Sequence, residues 1–482
     1  MPQMSPGKIG RFGPWLERRH RFAARVALYG SLVLVSGVTW LLVSFLDRPL
    51  RHNAAEDWAK LDLPNDPNVK LLQQYVRIDT SEKTGDEIAG ARFLAARLAA
   101  AGIPSEIEIL GERHANLYAR LDGADPHPLV LHNHIDVEAA DPKQWFSPPF
   151  AARIEGPWMY GRGTFDMKSV AIAQLAAMVD LKKSGKPLRR SVLFLATSSE
   201  ERGSRLGVRW ILRTHPDLVR SFWAVLTEGG AVEARARDEI KYWGTEFAQK
   251  RYVDVHVCSG DRAQVEALHD LLKERGFTET DLHITSEVRT YLQAYGPTRD
   301  LAELRDLLVH PDKALADVTA FRKLPDYVKS LFRNEAVPFP VEAAPGGGWQ
   351  MMIKLHLLPG QELAAVRDEL LPPWMLWGLA VTIDEPPSAR QGSPLDHPVF
   401  QEIRATLERR YPEAPAGPWF LPWSATDSRY FRLASVPSYG FSPFLIMNTD
   451  TLQVDNANER FALPGFVEGV SLYRDLVRRL AL

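Results

Sequence analysis

The chain has a single cysteine among its 482 residues, Cys258, which excludes an intramolecular disulfide and any metal site built on several thiolates. We interpret Cys258 as a small buried hydrophobe on a strand. The formal net charge is only −2, and no basic stripe with interleaved aromatic residues follows the amino-terminal region, so nothing indicates nucleic-acid binding. The sequence also lacks internal repeats, low-complexity tracts and any histidine after His397.

One long apolar run lies near the amino terminus. Residues 26–46 carry no charge, and a helix of that length, at about 1.5 Å per residue, spans a hydrocarbon core of about 30 Å. Basic residues dominate the preceding segment, so the positive-inside rule places residues 1–25 in the cytoplasm and the body outside it. A cleavable signal peptide is the alternative, but its apolar core is only about 7 to 15 residues long and leads to a small-x-small site. Residues 46–49 offer no such site, so we expect an uncleaved, single-pass membrane anchor.

Metal-binding side chains follow apolar runs that read as strands. Three such runs, at residues 128–131, 192–196 and 223–226, predict buried strands. The side chains just beyond these runs, or in a Gly-Arg-Gly turn before a helical pattern, are His134, Asp136, Asp166, Glu200, Glu201 and Glu228. Loops at the carboxyl ends of strands in an open α/β sheet converge on one crevice, so we expect these side chains to meet there. One imidazole and several carboxylates suit zinc or a similar divalent ion.

Each of these pieces has an ordinary alternative when taken alone. A His-x-Asp pair is usually a surface or capping pair, a Glu-Glu pair before Arg-Gly-Ser is usually a solvated helix start, and Gly-Arg-Gly is a common turn. Their occurrence in order, each near a strand end, favours a site that holds a pair of cations. Within it, Asp136 is expected to accept a hydrogen bond from the His134 ring and so fix its tautomer.

The same stretches carry a family resemblance. The motifs are His-x-Asp-Val from His134, Trp-x-x-Pro-Pro-Phe from Trp145, Gly-Arg-Gly-x-x-Asp-Met-Lys from Gly161, Glu-Glu-x-Gly-Ser-x-x-Gly from Glu200 and Glu-Gly-Gly from Glu228, with further matches at residues 426–432, 439–443 and 458–460. Over roughly residues 63–482 the chain resembles the dinuclear zinc family of carboxypeptidase S, glutamate carboxypeptidase and aminoacylase.

The resemblance implies two zinc ions and a hydrolytic mechanism. His134 and Glu228 would bind one ion, Glu201 would bind the other, and Asp166 would bridge them. Glu200 would be the general base, in a catalytic group that also includes Asp136. The implied reaction is cleavage of an amide bond in a small peptide or an N-acyl amino acid. The resemblance further implies a cis peptide bond after Asp166.

Departures from the family pattern leave an alternative open. The family's last ligand, a histidine three residues before the Asn-Glu pair, is replaced by Asp455. A carboxylate oxygen binds zinc at about the distance of an imidazole nitrogen, so Asp455 is expected to bind the second ion, with added negative charge and a shorter reach. Substrate-binding motifs of the family are also replaced, by residues 257–262 and by Lys354 and His356. The alternative is a catalytically silent descendant with a binding or scaffolding role.

We therefore expect an α/β fold with a zinc-exopeptidase-like mixed sheet flanked by helices, an inserted α+β, ferredoxin-like lid and an N-terminal transmembrane helix. The expected order is a basic tail (1–25), the anchor (26–46), a linker (47–66), the first part of the catalytic domain (67–247), the lid (248–386) and the second part of the catalytic domain (387–482). Within the lid, residues 300–334 predict an added helical segment whose leucine stripe reflects ordinary packing. By resemblance, a homodimer would form through the lid.

Overall fold

The computed structural model describes residues 62–81, 84–275, 282–384, 391–447 and 453–482. The basic tail and the predicted anchor at residues 26–46 lie outside this part of the chain. In the described ranges, no helix is both long and apolar enough to cross a membrane.

Strands and helices alternate through most of the described chain. The strands are β1 (Ser105–Ile109), β2 (Ala115–Leu121), β3 (Gly123–His134), β4 (Arg153–Glu155), β5 (Trp158–Tyr160), β6 (Leu188–Thr197), β7 (Ala224–Thr227), β8 (Ala231–Ala236), β9 (Glu239–Gln249), β10 (Arg251–Ser259), β11 (Glu335–Pro338), β12 (Glu342–Ala343), β13 (Trp349–Leu357), β14 (Ala380–Asp384), β15 (Ala416–Leu421), β16 (Ser438–Gly440) and β17 (Arg460–Ala462). The helices are α1 (Pro67–Val76), α2 (Glu87–Ala100), α3 (Lys168–Ser184), α4 (Val208–Thr214), α5 (Pro216–Arg220), α6 (Arg262–Glu274), α7 (Ser286–Tyr295), α8 (Ala302–Val309), α9 (Asp312–Ala316), α10 (Val318–Arg322), α11 (Asp326–Ser330), α12 (Leu363–Leu370), α13 (Pro398–Arg410), α14 (Ser428–Leu433) and α15 (Leu463–Ala481).

A nine-stranded mixed sheet forms the larger unit, in the order β1-β2-β6-β3-β7-β16-β9-β15 with β8 paired to β9. Its central strands β6, β3, β7 and β16 are parallel neighbours. The three apolar runs predicted as strands lie in β3, β6 and β7, which confirms that prediction. Because parallel strands end at the same edge, the register that pairs His134 with Thr197 brings the ends of β3 and β6 together.

Both faces of this sheet are covered, as near-continuous apolar strands require. Along β3, Leu129 and Leu131 point into the main core with helices α1, α3 and α15, whereas Val130 points to the opposite face. There it packs with Val225 of β7 and Phe431 of α14. The period of two residues in a strand therefore divides one apolar run between two cores.

A smaller unit is built on a second sheet, in the order β11-β13-β10-β14 with β12 paired to β13. Helices α6 and α12 cover one face, over a core that includes Val255, Val265, Ile353 and Val366. Strands and helices follow one another as β10, α6, β11, β13, α12, β14, which is the split βαββαβ order. The second strand of that order is β11.

The stretch from α7 to α11 lies inside the sequence range assigned to the lid, but it packs against the large sheet. Its buried residues Tyr291, Leu308 and Phe321 belong to the core of the large sheet, not to the core of the small one. A buried ion pair ties it there, since Arg299 Nη1 lies 2.8 Å from Glu233 Oε1 of β8. Leu307 and Leu308 of the leucine stripe pack as expected, but in the core of the larger unit, whereas Leu301 is exposed.

Candidate metal centre

A first group of ligand atoms lies at the carboxyl ends of two neighbouring strands. His134 ends β3, Glu228 directly follows β7, and together with Asp166 they place one ligand atom each within 4.8 Å of one another. His134 Nε2 lies 3.0 Å from Asp166 Oδ1 and 3.6 Å from Glu228 Oε1. Parallel pairing of β3 and β7 explains why two residues far apart in sequence meet here.

A second group shares Asp166 with the first. Asp166, Glu201 and Asp455 also place their ligand atoms within 4.8 Å of one another. Glu201 lies in a 3-10 turn after β6, and Asp455 lies in a turn before β17. The Asp455 side chain is 41% exposed, so this position is more open than the one at His134, whose side chain is 1% exposed. Asp455 therefore points into the cleft, where the family pattern would place a histidine.

Asp136 supports both groups, although not through the contact that the sequence suggested. Its carboxylate oxygens accept the backbone N–H groups of Glu200 and Glu201, each at 3.0 Å. The His134 ring instead donates from Nδ1 to the backbone carbonyl of Asp136 at 2.9 Å, while the nearest carboxylate oxygen is 3.7 Å away. A carbonyl can only accept, so Nδ1 carries the proton and Nε2 is left to face the ligand cluster. The carboxylate holds the Glu200 turn, and the carbonyl fixes the tautomer.

The loop that carries Asp166 is bound to the turn that carries Asp455. The buried Glu459 carboxylate accepts the Arg162 guanidinium at 2.7 Å and the backbone N–H of Phe165 at 2.7 Å. Arg162 also donates from Nη2 to the backbone carbonyl of Asp455 at 3.0 Å. The sequence contained a signal for this contact, because both partners lie in matched motifs, but it did not show that they meet.

Asp427 is a further buried carboxylate that the site analysis of the sequence missed. It accepts the Ser204 hydroxyl, and its Oδ2 lies 3.5 Å from His132 Nε2. Burial raises the pKa of Asp427 to about 6. The charge of Asp427 helps to raise the pKa of Glu200, so Asp427 belongs to the electrostatic surroundings of the cleft. The matched motif at residues 426–432 was the available signal.

The carboxylates of the cleft repel one another. Burial raises the pKa of Glu201 well above its usual value, and the charges of Asp166 and Asp455 raise it further. Burial and the charge of Asp166 likewise raise the pKa of Glu228 to about 8. Such a cluster of buried carboxylates is stabilised by bound cations.

The residues fit a pair of divalent ions. Within the described part of the chain, the buried Oε1 atoms of Glu200 and Glu201 have no hydrogen-bond partner. The donor set is one imidazole nitrogen with carboxylate oxygens, and one carboxylate, Asp166, is common to both groups. This combination is typical of zinc and neighbouring divalent metals. The peptide bond between Asp166 and Met167 is cis, which confirms that prediction.

The polar residues that replace the family's substrate-binding groups interact within the smaller unit. Lys354 and His356 alternate with the buried Ile353 and Leu355 along β13, so they lie on the face without helices. Lys354 Nζ is 3.8 Å from Asp254 Oδ1, and the His356 ring lies 4.5 Å from the Tyr252 ring.

Comparisons with known proteins find similar sequences and folds over most of the chain. Rat (Rattus norvegicus) aminoacylase-1A is 24% identical over 439 residues, which is 86% of this chain and 95% of that protein. An M20 family metallo-carboxypeptidase from Sulfolobus solfataricus has the same fold, with a TM-score of 0.65, 17% identity, and coverage of 86% of this chain and 99% of that one. A dinuclear metal-binding M20 peptidase from Bacillus subtilis matches with a TM-score of 0.51 and 10% identity, over 86% of this chain and 98% of that one.

The sequence profile of peptidase family M20/M25/M40 matches residues 130–479, a span that includes every residue of both ligand groups. The family is a group of metal-dependent hydrolases of peptides and N-acyl amino acids, and a His/Asp/Glu cluster of the required kind is present. The chain therefore belongs to peptidase family M20/M25/M40.

Proposed function

We propose that the protein is a membrane-anchored, extracytoplasmic zinc hydrolase that cleaves the amide bond of a small peptide or an N-acyl amino acid. The observation that carries the proposal is the position of Asp166, whose carboxylate belongs to both ligand groups at once. Rat aminoacylase-1A, which resembles this chain over most of its length, supports the N-acyl amino acid as one substrate class.

The metal-binding residues divide between the two groups. His134 and Glu228 would hold one zinc, Glu201 and Asp455 would hold the other, and Asp166 would bind both. When bound, such a pair of ions polarises the substrate carbonyl and acidifies the attacking water.

Glu200 would act as the general base. Its Oε1 is buried without a hydrogen-bond partner among the described residues, and burial together with the charges of Glu228 and Asp427 raises its pKa. A carboxylate in this state accepts the proton of the attacking water at its free oxygen and returns it to the leaving nitrogen. Asp136 holds the backbone of Glu200 in place through its 3.0 Å hydrogen bond. The base is thus positioned by the chain beside the ligands.

A catalytically silent descendant with a binding or scaffolding role is the second candidate function. Two observations favour it: Asp455 occupies the family's histidine position, and the polar side chains of β13 make contacts within the smaller unit. The first candidate is preferred because the shared carboxylate and the general base are both retained.

Elemental analysis and hydrolysis assays on the same preparations test the proposal. Two equivalents of zinc, falling in Glu201→Ala but not in the matched surface control Glu408→Ala, together with release of an amine from dipeptides or N-acetyl amino acids, would support it. Zinc-loaded protein that hydrolyses none of these compounds would favour the silent descendant. Protein that takes up no divalent metal would refute the proposal.

The membrane location is tested separately. The uncharged run at residues 26–46 supports an anchor, and the excess of basic residues before it supports a cytoplasmic amino terminus. Full-length protein should resist carbonate extraction from membranes, and a variant lacking residues 1–46 should not. A homodimer through the smaller unit remains part of the proposal, to be checked by light scattering of that truncated variant.

A further inference from the structure

An arginine-rich groove lies on the helical face of the larger unit, away from the ligand cluster. It has a volume of about 440 Å³ and runs between α13, α15 and the second half of α3. Its arginines are Arg409, Arg410, Arg474, Arg478 and Arg479. Helix α3 starts two residues after Asp166 and advances about 18 Å before it reaches Asp180 at the groove. The groove is therefore a separate surface, and neither the proposed reaction nor the ligand groups make use of it.

The charges in the groove do not balance. Asp180 and Asp475 are the acidic residues that line it, and they pair with Arg478 and Arg479. Glu402, next to the groove, pairs with Arg409. The arginines of the groove thus outnumber the nearby acidic residues, which are Asp180, Asp475 and Glu402. Part of the groove carries uncompensated positive charge.

That uncompensated charge comes from Arg410 and Arg474. Neither has an acidic side chain within ion-pair distance in the part of the chain that the structure describes. Arg474 Nη2 donates to the amide oxygen of Asn68 at 3.3 Å, and its buried Nε has no partner among the described residues. Arg410 is exposed at the end of α13. A guanidinium presents several donors in a planar fork, which suits the oxygens of a phosphate group.

The groove lies beside the entry of the chain into the folded body. Asn68, the partner of Arg474, is in the first turn of α1, and the residues preceding that helix lead back to the proposed anchor. Residues 47–61 can reach at most about 50 Å even when fully extended. The anchor thus limits how far the amino-terminal side of the body can move from the bilayer surface.

We propose that this groove docks onto the phosphate headgroups of anionic glycerophospholipids in the extracytoplasmic leaflet of the membrane that holds the anchor. The orientation rests on the anchor in the proposed function, whereas the affinity of the groove for anionic headgroups is a property of the body itself. Clustered basic residues are attracted to an anionic bilayer over roughly one Debye length, about 10 Å at 0.1 M salt. Docking would hold the body in one orientation at the bilayer surface.

Vesicle flotation tests this proposal with the variant that lacks residues 1–46. This variant retains every described residue, and the Sulfolobus carboxypeptidase, matched over 99% of its own chain, has the same fold over the corresponding part. We expect binding to vesicles that contain phosphatidylglycerol, no binding to phosphatidylcholine alone, and release at high salt. Arg410→Gln with Arg474→Gln should weaken binding about 5-fold for each arginine removed.

The matched control has the same change in charge elsewhere. Arg262→Gln with Arg367→Gln removes two exposed arginines from the smaller unit and should leave vesicle binding unchanged. Equal weakening by both double variants, or none by either, would overturn the assignment to the groove. Calorimetric binding of inorganic phosphate without vesicle binding would identify a small-anion site and also overturn it. Carbonate extraction of the full chain reports on the anchor alone, so failure of the anchor and failure of the groove are distinguishable.

Discussion

The Asp136 carboxylate accepts the backbone N–H of Glu200 at 3.0 Å, and so joins the end of β3 to the turn after β6. Because its second oxygen accepts the N–H of Glu201 at 3.0 Å, one buried side chain orients both the proposed base and a proposed ligand. The alignment of the two groups thus depends on a residue whose carboxylate belongs to neither of them.

Replacement of Asp136 by asparagine should disturb this turn. The amide can accept only through its one oxygen, so one of the two N–H groups loses its partner. We expect zinc affinity or hydrolytic rate to fall about 10- to 100-fold, the usual effect of losing an outer partner of a metal site. Calorimetric zinc titration and steady-state kinetics measure these effects. An unchanged zinc affinity and rate would mean that the turn is held by other contacts.

Replacement of Glu200 by glutamine separates binding from chemistry. Glutamine keeps the shape of the side chain but cannot accept the proton, so kcat should fall about 10²- to 10⁴-fold. Metal content by elemental analysis should stay at the wild-type value, because Glu200 is in neither ligand group. Parallel loss of metal and rate would instead indicate that Glu200 is a ligand.

Asp455→His tests the departure from the family pattern. If Asp455 binds the second ion, an all-carboxylate shell of Asp166, Glu201 and Asp455 should tolerate manganese or magnesium better than the site with His134. Restoring an imidazole should raise zinc affinity at that position while leaving the first position unchanged. Competitive titration with zinc and manganese measures both. Identical affinities in wild type and variant would show that Asp455 is not a ligand.

Glu459→Gln tests the connection between the two loops. The change removes the nearer charged partner of the buried Arg162, at 2.7 Å, and leaves Asp455 Oδ1 at 3.7 Å. Breaking a buried pair costs about 3 to 5 kcal/mol of folding free energy. Urea unfolding measures this loss, and zinc titration should show weakening at the position that includes Asp455. The exposed pair of Glu155 and Arg153 provides the control, since Glu155→Gln should change stability by less than about 1 kcal/mol.

The Lys250 and Glu335 pair predicts a pH dependence of stability. Burial alone would raise the pKa of Glu335, but the charges of Lys250 and Arg333 lower it to about 2. A carboxyl group whose pKa is lower in the folded than in the unfolded protein stabilises the fold at pH values above its unfolded pKa of about 4.3. This stabilisation is lost as the pH falls toward the pKa of the folded state. The stability difference between wild type and Glu335→Gln should therefore be large at neutral pH and shrink between about pH 4.3 and pH 2.

Urea unfolding of both proteins at several pH values checks this prediction. The pair lies at the boundary of the smaller unit, because Lys250 directly follows β9. Lys250 Nζ is 2.9 Å from Glu335 Oε2. If the stability difference stayed constant across that pH range, the pair with Lys250 would not lower the pKa of Glu335 in the folded protein.

The amino-acid sequence alone determined the candidate ligands and the parallel core of the sheet. His134, Glu201 and Glu228 each lie within a few residues of a strongly apolar run. Strand periodicity is a local property that needs no knowledge of the partner strand. Asp455 was also identified from sequence, because the motif around residue 458 placed it in register with the missing histidine. The structure brings it within 4.8 Å of the other ligand atoms.

Only the tertiary structure decided which partners these elements have. The leucine stripe on α8 shows that one face is buried, but not that it packs in the core of the large sheet. The contact of the Asp136 carboxylate with the backbone of Glu200 and Glu201 depends on the parallel pairing of β3 with β6. The contact between Arg162 and Glu459 joins residues almost 300 positions apart. The groove between α13 and α15 likewise exists only once the carboxyl-terminal helix has packed. Periodicity reports that a face is buried, whereas long-range packing selects what buries it.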